Sequence, residues 1–390
     1  MRDGRLRPGM IRCVGSLADF KLEVFFSRWE FRARYHLTAS DAQTMAVSEL
    51  LALADPEQLA AWEGLQLGYR ETFGSPAVRD AIAGTYERAG PDDVLCFAGA
   101  QEGIACAVRA LLEPGDHAVV ITPNYQAVES LALSIGSATG VALARGGDWG
   151  LDLAAVARAI TPATRLIAVN FPNNPTGAVC DPQTFRGLVE LADAHDLVLL
   201  SDEVYRGIEL EPLRTLPQAA DLSERAISLG VLSKAYGLPG LRLGWIVCRD
   251  RALLERMERL KHYGSICNPG PSEVLGTIAL RAGEQILARN RERVRANLGL
   301  FDRFFSRHPE RFEWRHPQGG CVAFPRYLGG EGAERFCAEL LDETGVLLLP
   351  PSVYDSEIAE PFTDRFRIGV GRDDPGPALA ALEGWLALRS

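Results

Sequence analysis

Short apolar runs alternate with amphipathic segments between residues 75 and 250. Six runs of five or six residues have the length and hydrophobicity of buried strands in a mostly parallel sheet. These runs are Val94–Ala98, Ala118–Thr122, Leu166–Asn170, Leu197–Ser201, Ala226–Gly230 and Leu243–Cys248. The segment 185–195 between two of them has helical periodicity, and Ser75-Pro76 predicts a helix start capped by the serine side chain. The alternation predicts an α/β domain.

The pattern changes after residue 250. Residues 251–262 and 272–305 are rich in Arg, Leu and Glu and predict helices, whereas 319–324 and 345–349 predict strands of a smaller α+β unit. The first 40 residues are basic and aromatic, without alternation of strands and helices. We therefore expect an N-terminal arm (1–40) that contributes to the smaller domain, a large ligand-binding domain (41–285) and a small C-terminal domain (286–390).

Composition limits the classes of partner. The 390 residues carry a formal net charge of −10, which argues against nucleic acid or an anionic membrane as the main partner. No apolar run is long enough to span a membrane, and the N-terminus does not lead into a signal-peptide core. A cytoplasmic location is the default expectation.

Lysine is rare in this chain. Only Lys21, Lys234 and Lys261 are lysines, and the other 38 basic residues are arginines. An amine can lose its proton and form a Schiff base, which a guanidinium cannot do. We expect Lys21 and Lys261 to be surface residues, so Lys234 must be judged by its surroundings.

Four polar segments follow predicted strands, where the carboxyl ends of parallel strands commonly form ligand sites. They are 98–101 (AGAQ), 170–177 (NFPNNPTG), 201–205 (SDEVY) and 233–242 (SKAYGLPGLR). Each alone has an ordinary explanation, such as a turn or a solvated carboxylate. Together they meet the needs of pyridoxal phosphate: an amine for the aldehyde, a carboxylate for the pyridine nitrogen, a donor to the ring hydroxyl oxygen and a helix N-terminus for the phosphate.

Each of these needs has a candidate residue. Lys234 is the amine, Asp202 the carboxylate and Asn174 the donor. The phosphate candidates are Gly99, Ala100 and Gln101 at a helix start, with Ser233 and Arg242 near the lysine in sequence. Tyr125 follows another strand and is a candidate to stack on the ring.

The same motifs resemble those of the class I/II aminotransferases, the fold-type-I pyridoxal phosphate enzymes related to aspartate aminotransferase. The resemblance runs in order from about Tyr69 to Gly371. It implies a three-layer large domain with a mostly parallel sheet, and a smaller α+β domain. It also implies pyridoxal 5′-phosphate as cofactor, an α-amino acid and possibly a 2-oxo acid as substrates, and a homodimer with shared active sites.

The resemblance further implies a role for each matching residue. Lys234 would hold the cofactor as an aldimine and then move a proton between the substrate Cα and the cofactor. Asp202 would pair with the pyridinium nitrogen. Asn174 and Tyr205 would hydrogen-bond the ring oxygen, and Ser233, Arg242, Ala100 and Gln101 would hold the phosphate. Tyr69 would reach the phosphate in the neighbouring subunit, and Arg367 would bind the substrate α-carboxylate through two parallel bonds.

One segment departs from the family pattern. Relatives often carry a glycine-rich stretch where this chain has 37–43 (LTASDAQ), which places Ser40 beside the expected substrate position. Two functions therefore stay open: an aminotransferase acting on an α-amino acid, or a non-transaminating enzyme such as a β-eliminating lyase, a cyclase or a decarboxylating or oxidative deaminase. A cofactor-binding regulator without catalysis is disfavoured by the presence of both Lys234 and Arg367.

The substrate side chain and the arm also leave alternatives. Arg12, Arg32, Arg34, Arg70 and His36 are all candidates for a second substrate-binding charge. The aromatic arm, with Phe20, Phe25, Phe26, Trp29 and Phe31, is expected to lie across a second subunit. The alternative is that it covers only its own smaller domain.

Overall fold

The computed structural model describes residues 17–145, 147–211 and 214–389. The α-helices are α1 Lys21–Trp29, α2 Val47–Leu51, α3 Pro56–Glu63, α4 Pro76–Ala83, α5 Ala100–Leu111, α6 Ala127–Ile135, α7 Leu153–Ala159, α8 Pro182–Ala194, α9 Ala219–Leu222, α10 Arg251–Lys261, α11 Gly270–Arg281, α12 Gly283–Ser306, α13 Ala333–Thr344 and α14 Gly376–Ala387. The strands are β1 Tyr35–His36, β2 Val94–Phe97, β3 His117–Thr122, β4 Ser137–Ala142, β5 Thr164–Asn170, β6 Val198–Asp202, β7 Ala226–Val231, β8 Gly244–Val247, β9 Phe312–Glu313, β10 Val322–Ala323, β11 Arg326–Tyr327, β12 Val346–Leu347 and β13 Ile368–Gly369.

Seven strands form the central sheet, in the order β2-β8-β7-β6-β5-β3-β4. Strand β8 runs antiparallel to both of its neighbours, and all other neighbouring strands are parallel. The six strands predicted from apolar runs are present, with ends shifted by at most two residues. Strand β4 was not predicted, because it is an edge strand of small and polar residues with mostly solvent-accessible side chains.

Helices cover both faces of this sheet. On one face α5, α6 and α10 pack through residues such as Ile104, Leu131 and Leu254. On the other, α7 and α8 pack through Val156 and Phe185. This is the expected three-layer α/β arrangement. It buries both faces of the parallel strands, so their near-continuous apolar sequences are explained.

A smaller α+β unit is formed by the C-terminal part of the chain together with strand β1. Its strands form three two-stranded ladders, β1 with β12, β9 with β11, and β10 with β13. Helices α12, α13 and α14 pack on them around an aromatic core that includes Phe305, Phe312 and Phe336. Residue 282 separates α11 from α12 within the long predicted helical region. The predicted fold class is confirmed.

The N-terminal helix packs on its own chain. Leu22 is buried in the core that β3 and β5 share with α8, and Phe20, Phe25 and Phe26 pack against the same core. The Lys21 amine donates to the backbone oxygen of Asp355 at 2.6 Å, and its backbone N–H donates to Gln126 Oε1 at 2.9 Å. Phe31, in contrast, is 93% exposed. Within the described residues, the arm thus packs on the large sheet domain of its own chain and not only on the smaller domain, and its expected contact with a second subunit stays a prediction.

Two other expectations were wrong in detail. Helix α4 begins at Pro76 as predicted, but the Ser75 side chain makes no capping bond. Instead the Ser75 backbone N–H donates to Glu273 Oε2 at 3.1 Å. Lys261 is completely buried rather than on the surface, and Lys21 is half-buried by its bond to Asp355. Among the described residues, no helix combines the length and apolarity that crossing a bilayer requires.

Candidate active site

A cavity of about 500 Å³ lies at the carboxyl-end edge of the central sheet. It is lined by the segments that follow β2, β5, β6 and β7, and helix α1 contributes to its wall. Of the site residues predicted from the sequence, the lining includes Ser40, Ala100, Gln101, Tyr125, Asn174, Asp202, Tyr205, Ser233, Lys234 and Arg242. Segments far apart in sequence thus meet because parallel strands place their carboxyl ends together.

Lys234 follows β7 and points its amine toward Ser40. Its Nζ donates to the Ser40 hydroxyl at 2.7 Å, and its backbone oxygen accepts from the Ala42 N–H at 3.0 Å. Burial lowers the pKa of Lys234, and the nearby Arg367 charge lowers it further, while Asp41 opposes the shift. A larger share of the amine is therefore neutral near pH 7, which is the form that attacks a carbonyl carbon or accepts a proton.

Asp202 is the last residue of β6. Its Oδ1 accepts from the Val204 backbone N–H at 3.2 Å. Burial raises the pKa of Asp202 to about 6, although this bond and the Lys234 charge work in the opposite direction. A buried carboxylate with so little compensation is well suited to a cationic partner in the cavity.

The loop after β2 and the turn before β8 form a cup. Gly99 precedes helix α5 with φ 93°, and an added Cβ there would collide with the Arg242 guanidinium. Helix α5 then begins at Ala100, so free backbone N–H groups and a cation lie at one end of the cavity. Such a cup favours an anion. The Ser233 hydroxyl is buried and has no hydrogen-bond partner among the described residues.

Arg367 lies fully buried behind Asn174 rather than in the cavity lining. Its guanidinium donates to Asn174 Oδ1 at 3.1 Å, to the Tyr354 hydroxyl at 2.7 Å and to the Thr38 backbone oxygen at 2.6 Å, while its Nε has no partner. Tyr354 also donates to Asn174 Oδ1 at 3.0 Å. These bonds fix the amide of Asn174 so that its Nδ2 group is left to donate into the cavity.

Tyr205 and Tyr125 also line the cavity. Tyr205 is 1% exposed, its hydroxyl has no partner, and burial raises its pKa well above the usual range. The Tyr125 ring packs on Phe20 with centroids 5.0 Å apart. The Tyr125 hydroxyl donates to Glu23 Oε1 at 3.4 Å, and burial raises its pKa as well.

Several residues that were candidates on sequence grounds lie outside the cavity. Tyr69 is 90% exposed and does not line it. None of Arg32, Arg34, Arg70 and His36 lines it either, and Arg12 lies outside the described residues.

Conversely, Tyr354 and Glu23 belong to the site but were not predicted, because no strand-end motif marks them. Within the described ranges, no group of three or more His, Cys, Asp or Glu residues is placed to hold a metal ion.

The cavity residues fit pyridoxal phosphate. Buried hydroxyls of Ser233 and Tyr205 lack partners, the Gly99–Arg242 cup suits a phosphate, and an amine and a carboxylate face the space between them. Fold and site together define a pyridoxal phosphate-dependent enzyme of fold type I. More specifically, the chain belongs to the aminotransferase class I and II family, whose model matches residues 39–376.

Individual relatives support the same family. The chain is 31% identical over 352 residues to capreomycidine synthase from Streptomyces vinaceus, covering 89% of this chain and 88% of that one. It is 32% identical over 296 residues to a probable N-succinyldiaminopimelate aminotransferase from Mycobacterium tuberculosis, covering 72% and 73%. An arginine–pyruvate transaminase from Pseudomonas aeruginosa is 30% identical over 327 residues, covering 80% and 83%.

Solved structures give the same result. A pyridoxal phosphate-dependent aminotransferase from Streptococcus suis superposes with a TM-score of 0.87 at 28% identity, covering 95% of this chain and 98% of that one. The pyridoxal phosphate-dependent cyclase OrfR superposes with a TM-score of 0.86 at 27% identity, covering 96% and 98%. The protein is thus a pyridoxal phosphate-dependent aminotransferase by family, and one of the similar solved structures is a cyclase.

Proposed function

We propose that the protein transfers the amino group of an α-amino acid, with Lys234 as the catalytic base and cofactor anchor. The single observation that carries this assignment is the Lys234 amine, which is half-buried in the cavity wall, has a pKa lowered by desolvation and shares the cavity with Asp202. Bound pyridoxal phosphate supplies the electron sink that stabilises negative charge at the substrate Cα. The residues of the chain then bind, orient and move protons.

Each residue has a defined task in this proposal. Asp202 keeps the pyridine nitrogen protonated, and Asn174 with Tyr205 donates to the ring oxygen. Ala100, Gln101, Ser233 and Arg242 hold the phosphate, and Gly99 leaves room for the Arg242 guanidinium. Tyr125 stacks on the ring.

Proton transfer depends on where the Lys234 amine is held. The bond to Ser40 orients the amine, which can then take the proton from the substrate Cα and return it elsewhere. Arg367 lies behind Asn174, so we propose that it binds the substrate α-carboxylate by exchanging its bonds to Asn174 and Tyr354 for bonds to the carboxylate oxygens. Helix α1 covers the cavity and limits access of water to the reacting atoms.

A second candidate function is a non-transaminating reaction, in particular cyclisation. Two observations support it: capreomycidine synthase and OrfR are among the relatives, and Ser40 places a hydroxyl on the Lys234 amine within the segment that departs from the family pattern. A hydroxyl bonded to the Lys234 amine can influence the atom to which Lys234 returns the proton. Both functions begin with removal of the Cα proton and differ only in the later steps.

Product analysis separates the two. The cofactor-loaded protein is incubated with a panel of L-amino acids, with and without a 2-oxo acid, and the 2-oxo acid, amino acid and ammonia formed are measured. Amino transfer predicts a new 2-oxo acid and a new amino acid in equal amounts. A ring-closed or ammonia-releasing product without amino transfer would favour the second function, and no reaction with any amino acid would contradict both.

We also propose a homodimer with shared sites, located in the cytoplasm. In support, three large side chains, Leu67, Tyr69 and Tyr263, are at least 87% exposed. The loop that carries Leu67 and Tyr69 lies next to the loop that carries Tyr263, because the Lys261 amine donates to the backbone oxygen of Thr72. The neighbouring Ser265 bonds Glu102 in the first turn of α5, so this apolar surface borders the phosphate end of the cavity. We propose in addition that the chain divides into an arm and two domains with limits at residues 40 and 285.

Mixed dimers test the shared site. Tyr69→Phe alone should weaken cofactor retention by roughly 1.5–3 kcal/mol, the value of one charge-assisted hydrogen bond. In a dimer of one Tyr69→Phe chain and one Lys234→Ala chain, both defects fall on one site and the other site is intact. Cofactor retention and activity at half the wild-type level are expected. A fully active monomer in sedimentation would contradict the shared site.

A further inference from the structure

Four charged side chains line the cavity: Lys234, Asp202, Arg242 and Glu23. The proposed function uses three of them, one for the aldehyde, one for the pyridine nitrogen and one for the phosphate. Glu23 is left without a task. The Tyr205 hydroxyl, elsewhere in the lining, is buried without a partner among the described residues, as expected where the cavity receives the polar groups of the cofactor.

Glu23 is held over the cavity by its helix. Helix α1 is fastened by Lys21 to Gln126 on one side and to Asp355 on the other. The Tyr125 hydroxyl donates to Glu23 Oε1 at 3.4 Å, which leaves Oε2 free of any bond within the described residues. The negative charge of Glu23 extends to Lys234, where it acts against the effect of burial.

Glu23 is exposed at the rim of the cavity, and the wall beside it is apolar. Phe20, Leu22 and Phe26 of the same segment line the cavity beside it. Glu30, seven residues further along the chain, lies on the same side of the helix axis and interacts with both Glu23 and Lys234. An extended aliphatic group would thus have hydrocarbon contacts along its length and a carboxylate at its end.

A substrate with an acidic side chain would find no free cationic partner in this cavity. Among the described residues, the two cations that line the cavity are Lys234 and Arg242, and both are taken by the cofactor. None of the described basic residues considered as a second substrate-binding charge lines it. A substrate carboxylate near Glu23 would meet charge of its own sign.

We propose that the cavity selects an α-amino acid whose aliphatic side chain ends in a cationic group, such as a guanidinium, and that Glu23 binds this group. The proposal rests on the proposed function, because Arg367 must hold the α-carboxylate at the other end of the substrate. A planar guanidinium can bond both oxygens of one carboxylate, so it fits Glu23 better than a single ammonium does.

The test compares substrates that differ in one charge. L-Arginine and L-citrulline have the same length and shape, but citrulline carries a neutral urea group. With the cofactor-loaded enzyme, kcat/KM for arginine should exceed that for citrulline, L-norleucine and L-glutamate. Glu23→Gln should lower kcat/KM for arginine about 10- to 100-fold and change that for citrulline less than about threefold. Asp19→Asn removes the same charge four residues earlier, outside the cavity lining, and should change neither.

A binding measurement avoids dependence on turnover. 5-Guanidinopentanoate has the carboxylate and guanidinium of arginine but no α-amino group, so it cannot react with the cofactor. In titration calorimetry of the loaded enzyme, Glu23→Gln should weaken its binding about 10- to 100-fold and leave hexanoate binding unchanged. Equal losses for both ligands would overturn the role of Glu23. Faster turnover of glutamate than arginine would overturn the substrate class while the proposed function stands, and no turnover of any amino acid would contradict the proposed function itself.

Discussion

Lys261 is fully buried and Lys234 is half-buried, and the two amines differ in their hydrogen-bond partners. Lys261 donates to the backbone oxygens of Thr72 and Cys96 and to Asn268 Oδ1, and it lies 5.7 Å from the centre of the Phe97 ring. Lys234 has one partner, the Ser40 hydroxyl, and opens onto the cavity. Burial lowers the pKa of both amines.

The difference separates a structural amine from a reactive one. An ammonium with three acceptors is held in its charged form and ties the loop at residue 72 to the end of β2. An amine with a single hydroxyl partner can lose its proton at little cost and still has room for a carbon atom to approach. Burial alone therefore does not indicate function, whereas burial with missing partners does.

The largest expected effect comes from Lys234→Arg. A guanidinium cannot form a Schiff base at neutral pH, so turnover should fall at least about 10⁴-fold, more than about 5 kcal/mol in the barrier. Formation of 2-oxo acid measures the loss, and circular dichroism checks that the fold survives. Lys21→Arg is the matched control and should keep most of the activity. Substantial turnover by Lys234→Arg would remove Lys234 from its role.

Asp202→Asn tests the carboxylate that faces Lys234. Without the negative charge the pyridine nitrogen stays largely unprotonated, and the electron sink weakens. We expect kcat to fall on the order of 10³-fold, about 4 kcal/mol in the barrier. Near-normal kinetics in this variant would mean that Asp202 is not the pyridinium partner.

Lys261→Met should affect folding instead of chemistry. The substitution keeps the aliphatic stem but leaves three buried acceptors unsatisfied, so the free energy of unfolding should fall by about 3 kcal/mol. Urea denaturation measures it, and the rate per folded molecule should change much less than in Lys234→Arg. A variant as stable as the wild type would show that the three bonds to Lys261 do not hold these segments together.

The last effect is a gain of stability in the cofactor-free protein, equal in size to the loss in Lys261→Met near pH 7.5 and smaller at lower pH. The pKa of Asp202 is raised from the ordinary 3.8 to about 6. A raised carboxyl pKa means that the folded state is favoured by protonation, and this advantage is lost as the pH rises from 3.8 through 6. Asp202→Asn should thus be more stable than the wild type by about 3 kcal/mol near pH 7.5 and by less than about 1 kcal/mol near pH 4. A gain that is the same at both pH values would have another cause.

The parts of the site that sequence could predict are those that follow strands. Lys234, Asp202 and Asn174 each come after an apolar run whose identity is clear, so their meeting at one edge follows from the topology of a parallel sheet. Strand β4 lacked such a run because it lies at the sheet edge. The antiparallel direction of β8 depends on tertiary pairing that no local pattern records.

Tyr354 and Glu23 could not be predicted for a different reason. They reach Asn174 and Tyr125 from segments 180 and 102 residues away, and neither lies in a motif of its own. Lys261 was misjudged because its helix carries three arginines and two glutamates, a composition typical of an exposed helix. The bonds that bury it are made to loops at residues 72 and 268, which the helix sequence does not specify.

The cup between Gly99 and Arg242 has a consequence for how this sequence can change. Gly99 has a left-handed backbone, and any side chain there would strike the guanidinium of Arg242, which is itself in the left-handed region with φ 46°. The dependence runs in one direction, because a side chain at Gly99 needs the Arg242 guanidinium to move, whereas replacing Arg242 removes the clash and leaves Gly99 unaffected. The order of mutations therefore matters: a lineage can lose Arg242 first and Gly99 afterwards, but the reverse order passes through a protein in which the two side chains collide.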